Sequence, residues 1–135
     1  MSEASHKELF LKSLNRCSAD SSFIPSFYDR FFGRSEEIRH KFRFTDFTKQ
    51  NEMLLHSLKL AAGATSGEPE ALHEIRERAE THDRHHLDIK PELYEYWFDS
   101  VIETARQFDP EWNDDVEQSW STILGYVIRH MAKFY

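Results

Sequence analysis

The chain has 135 residues, a net charge of −7 and 14% aromatic residues, with 11 Phe but only four Gly and four Pro. Residues 1–135 therefore suit a single domain that buries about two-thirds of its unfolded surface, with few breakers and many bulky groups favouring long helices. No basic stripe offers a nucleic-acid surface, no apolar run nears the roughly 20 residues of a membrane span, and MSEASHKE lacks a signal-peptide core. The lone Cys17 can form no internal disulfide and fits a reducing, cytoplasmic setting.

In chain order the sequence predicts seven helices and no strand. Ser5 caps a first helix through about Cys17, with Phe10, Leu14 and Cys17 as its core stripe. Ile24-Pro25 opens a second, with Phe27, Tyr28, Phe31 and Phe32 inward and Gly33 closing it. Ser35 starts a short third helix ending near Phe42, and FRFTDF is an extended corner. Thr45 or Asp46 caps a fourth helix, on which Phe47, Gln50, Met53, Leu54, Ser57, Leu58 and Ala61 are expected to face inward.

GATSGEP reads as a loose loop. The fifth helix then ends at a histidine cluster. Leu72, Ile75, Ala79 and His82 share one face, whereas Arg76, Glu77, Arg78 and Glu80 cover the other. An imidazole presented inward at a helix end keeps one nitrogen free for a metal while its other N–H bonds a carbonyl of the preceding turn. Pro91 opens the sixth helix, making Asp83 to Lys90 a corner, and Tyr94, Trp97, Val101, Ile102, Ala105 and Phe108 form its buried side. The last helix runs from about Asp114 on a stripe of Val116, Trp120, Ile123, Leu124, Val127 and Met131. The fold class is all-α.

FYDRFF, then Phe42, then QNEMLLHSL, then a histidine, then IKPELYEYW is a succession that resembles the globins. The likeness is to bacterial single-domain globins and to the globin domains of flavohaemoglobins and globin-coupled sensors. It spans nearly the whole chain, and the order of several weak motifs carries it. It implies a globin fold around haem b, with His82 as the iron ligand and Tyr28 and Gln50 facing the bound gas. Phe42 matches the corner phenylalanine that wedges the haem, Leu54 the apolar wall above it, and Ile89 the aliphatic at its edge. Ile75, Ala79, Tyr94, Trp97 and Val127 complete the expected pocket. Dioxygen on ferrous iron carries partial negative charge, which a phenol O–H and an amide N–H₂ can stabilise in a dry pocket.

Two choices stay open at this level. Helical continuity favours His82 over His85 and His86, but the family's proline follows its ligand more closely than Pro91 follows His82, which keeps His85 in play. Gln50 shares a face with Leu54 and Leu58, whereas Lys49 with Met53 is the adjacent register. Arg43, Arg84, His85, His86 and Lys90 are candidates for the haem propionates, and His56 points off the pocket face. A zinc reading of HDRHH, with Asp83 or Asp88, is the weaker metal alternative.

The proximal side departs from flavohaemoglobins. Tyr94 matches their tyrosine near the ligand, but their glutamate position falls on Tyr135, which weakens the case for peroxidase-like chemistry. NO dioxygenase activity would require an external reductase as partner. The resemblance thus implies reversible binding of O2, and of NO or CO, for storage or NO scavenging. The alternative functions are a gas-sensing module acting through a separate partner protein and a haemless interaction protein. The sixth and last helices are where globins associate as homodimers.

Overall fold

A computed structural model describes residues 5–82 and 89–133. Those residues form α1 (His6–Ser18), α2 (Phe23–Phe32), α3 (Glu36–Lys41), α4 (Phe47–Thr65), α5 (Pro69–His82), α6 (Pro91–Phe108) and α7 (Asp114–Lys133), with no strand among them. The helix starts follow from local chemistry. Ser5 Oγ accepts the Glu8 N–H at 3.1 Å, Ser35 Oγ the Glu37 N–H at 3.2 Å, and Asp46 Oδ1 the Thr48 N–H at 3.0 Å. Each satisfies a donor that the first helical turn leaves without a partner. Pro91 occupies the first turn of α6, where its missing N–H costs nothing.

The core is organised on α7. Trp120 is fully buried, its ring 4.7 Å from that of Phe10 on α1. Its indole N–H donates to Ser13 Oγ at 2.9 Å, and Ser13 in turn donates to Asp109 Oδ2 at 2.5 Å. Arg16 completes the set with two N–H bonds to the same carboxylate, at 2.6 and 2.9 Å. The polar groups inside this corner are thereby matched to one another, as burial requires. Helix α1 packs on α7, α2 on α6, and α5 on both α4 and α7. No described helix is long and apolar enough to cross a membrane.

Three sequence expectations are corrected. GAT of the predicted loop is helical, so α4 runs to Thr65 and the α4–α5 link is Ser66 to Glu68. Tertiary contact explains it: a Cβ on Gly63 would meet the Glu68 carboxylate and lie 3.3 Å from Ala71 Cβ, so glycine is kept there for close approach of α5. Gly33 closes α2 as expected, at an ordinary helical φ of −71°, and the left-handed glycine is Gly67 at φ +78°. On α5 the buried face is Ala71, Ile75 and Ala79, with Leu72 half-buried.

The third correction concerns α4. Leu54, Leu58 and Ala61 are buried as expected, but Phe47 and Met53 are 38% and 48% exposed. Helix α4 packs mainly on α1, α5 and α7. Its first residue, Phe47, meets α2 edge-on, its ring 5.4 Å from that of Tyr28 and 5.8 Å from that of Phe32.

Candidate functional site

His82 ends α5, half-buried, and its Nδ1 lies 2.7 Å from the Arg78 carbonyl. A carbonyl only accepts, so Nδ1 carries the proton and Nε2 is left as the lone-pair nitrogen. Thr81 Oγ1 donates to the same carbonyl at 2.9 Å and lies 3.1 Å from Nδ1, which further restrains the ring. Among the described residues nothing bonds Nε2. Burial lowers the pKa of this histidine and favours the neutral ring; the bond to the Arg78 carbonyl opposes that, and the Arg78 charge adds to it. The product is a neutral imidazole of fixed tautomer, the form in which histidine binds metals.

Tyr28 sits on α2, 5% exposed, in a cage of aromatic rings. Its ring lies 5.5 Å from Phe32, 6.1 Å from Phe42 and 5.4 Å from Phe47. Its hydroxyl is buried and completes no hydrogen bond among the described residues. Burial pushes its pKa up to about 12, with the half-buried Gln50 amide acting in the opposite sense. Gln50 is thus beside the hydroxyl but not aligned with it as a satisfied partner. Lys49 points to solvent.

The remaining predicted residues are distributed as follows. Phe42 is half-buried after α3 and packs on Phe31, Phe32 and Phe47, with its ring 5.3 Å from that of Phe32. Leu54, Ile75, Ala79 and Tyr94 are buried; burial pushes the Tyr94 phenol up to about 12. Ile89 is half-buried and its N–H donates to the His82 carbonyl at 3.0 Å, which fixes the start of the segment leading into α6. Trp97 meets Phe27 edge-on at 6.2 Å, and Val127 touches both apolar clusters of the core. His56 pairs with Glu74 of α5 at 2.9 Å, away from Tyr28.

Of the candidates for propionate binding, Lys90 Nζ lies 3.4 Å from Glu37 Oε1, and Arg43 donates to the His40 carbonyl while its guanidinium covers the Phe44 ring. Arg84, His85, His86, Asp83, Asp88 and Tyr135 lie outside the described residues, and with them the zinc reading of HDRHH and the choice between His82 and His85. Arg78 departs from the predicted outer face: its side chain is only 23% exposed, and its Nε is buried without an acceptor among the described residues. The available signal was its position one turn before His82.

No protein-family model matches the chain. No curated protein matches it. A solved structure does: a protein of Pseudomonas aeruginosa PAO1, described as structurally highly homologous to a human hemoglobin, superposes with a TM-score of 0.91. It is 27% identical, over 97% of this chain and 98% of that one. The chain has the globin fold.

In this fold three features are suited to haem. The lone-pair nitrogen of His82 is one. The second is the buried Tyr28 hydroxyl, an O–H donor with no acceptor among the described residues. The third is the pair of apolar side chains Phe47 and Met53 on the first half of α4, 38% and 48% exposed. An orphaned buried donor and exposed apolar side chains are each unfavourable in an isolated chain and become favourable against a flat apolar group with a polar centre.

Proposed function

We propose that this chain binds haem b between α4 and α5, with His82 as the iron ligand, and through it binds O2, NO or CO reversibly. The observation that carries the reading is His82: Nδ1 donates to the Arg78 carbonyl at 2.7 Å in a half-buried setting that favours the neutral ring. Bound haem supplies a ferrous iron on which a diatomic gas can be held. Phe42, Leu54, Ile75, Ala79, Ile89, Tyr94, Trp97 and Val127 supply the apolar walls. The Tyr28 hydroxyl and Gln50 amide donate hydrogen bonds to a gas that carries partial negative charge. Such bonds strengthen where water is excluded. Those two donors favour O2 over CO, which develops less charge.

The role that fits this pocket is oxygen binding or storage, or NO scavenging with a separate reductase as partner. The lone buried Cys17 accords with a cytoplasmic setting. The test is an absorption spectrum of the purified protein, oxidised, reduced and with CO. A Soret band that survives His85→Ala and His86→Ala but is lost in His82→Ala is the expected result. A colourless protein that takes up no added haem overturns the proposal.

A further inference from the structure

The side chain beside the His82 tether is a cation. Arg78 is one turn before His82, so its guanidinium and the imidazole project from the same side of α5. Arg78 Nη2 lies 3.3 Å from Glu74 Oε1, and Glu74 Oε1 lies 2.9 Å from His56 Nε2 on α4. This chain of contacts ties the guanidinium across the α4–α5 junction. Its charge is not cancelled where it matters. The carboxylate holds the far end of the guanidinium, whereas Nε, nearer the helix, is buried with no acceptor among the described residues. Glu74 is also two turns from His82 and Arg78 only one, about 12 Å against about 6 Å along the axis.

We infer that Arg78 is a positioning residue for the iron site. Its carbonyl orients the His82 ring, and its guanidinium, pinned by Glu74 and His56, holds that ring a weak electron donor and so favours ferrous over ferric iron. The inference rests on His82 being the haem ligand. Its physical basis is that groups around a ligating imidazole set its basicity: a carboxylate accepting its N–H strengthens donation to the metal, and an adjacent cation weakens it. Burial of the guanidinium keeps solvent from screening the effect. The proximal face of this chain would then run opposite to one built for peroxidase-like chemistry.

The experiment compares the haem-loaded wild type with Arg78→Met, which keeps the length and packing of the stem, and Arg78→Lys, which keeps the charge. The readouts are the ferric/ferrous midpoint potential and the iron–histidine stretching band of the reduced protein. Arg78→Met should shift the ferrous/ferric equilibrium about tenfold toward ferric, roughly 59 mV for one electron, and raise the stretching frequency. Arg78→Lys should stay near wild type. Wild-type values in both variants, or the same shift in both, overturn the inference while leaving haem binding intact. A wild type that takes up no haem removes the proposed function itself, and this inference with it. Arg78→Gln serves as the neutral variant should the Met substitution not fold.

Discussion

Tyr28 holds a buried O–H that no group among the described residues satisfies. A buried hydroxyl without a partner costs about 1–3 kcal/mol, and deleting it relieves that penalty. Tyr28→Phe should therefore leave the haem-free protein equally stable or more stable in urea titrations, by up to about 1 kcal/mol. In the gas-bound protein the same change removes a donor, and O2 release in stopped-flow measurements should speed up roughly tenfold, the equivalent of about 1.4 kcal/mol. Opposite signs in the two states would mark a functional hydroxyl. A loss of stability in both would mark a structural one.

Asp109 is the contrasting residue, a buried acid whose oxygens are fully used. Burial by itself raises its pKa, but the Arg16 guanidinium, Ser13 hydroxyl and Glu111 N–H outweigh that and hold it below the ordinary carboxylate value. The native state thus favours the ionised form. Its contribution to stability is complete above the unfolded-state pKa and is lost as pH falls through the depressed native one. Asp109→Ala should cost about 3 kcal/mol at neutral pH, near the low end for a broken buried pair because Arg16 can turn toward solvent and Glu111. Asp109→Asn should flatten the decline in stability below about pH 4 in a pH series of urea titrations.

Among the helices, the α4–α5 junction shows how one residue sets a link. Gly67 stands at φ +78° with nothing near its absent Cβ, so substitution there meets strain in the backbone alone. Gly67→Ala should destabilise by about 1–2 kcal/mol and Gly67→Asn by less, since asparagine tolerates the left-handed region; thermal unfolding would measure both. The extension of α4 through Gly63 was hidden because GAT followed by SG reads locally as a breaker. Contact with Ala71 makes Gly63 useful inside the helix. Helix α5 shows the same effect in its phase. Sequence spacing assigned its inner face to Leu72 and left Arg78 outside, whereas packing buries Ala71 and draws Arg78 partly under.

Across the whole molecule, the half-covered Phe47 at the start of α4 packs against Tyr28 of α2, which puts an exposed apolar ring beside the buried hydroxyl. A ligand bound there stabilises only the folded chain. At one hundred times its dissociation constant, haem should add about 2.7 kcal/mol to unfolding free energy. Hydrogen exchange should slow most in the first half of α4 and the last turn of α5. Uniform slowing, or none in α4, would place the group elsewhere.

Helix number, capping residues and the apolar stripes of α1, α6 and α7 were legible from the chain because each depends on neighbours within one or two turns. Ser5, Asp46 and Pro91 act on the backbone beside them, and period-3.6 patterning marks a buried face wherever that face is buried by other helices. His82 could be singled out for the same local reason, its place on the inner face of α5. What the chain could not disclose were relations between groups far apart in sequence. These include the unpartnered hydroxyl of Tyr28 beside Gln50, the partial exposure of Phe47 and Met53 on α4, the use of glycine at position 63 against α5, and the contacts from His56 through Glu74 to Arg78. Each depends on which helix lies opposite, and only packing in three dimensions decides that.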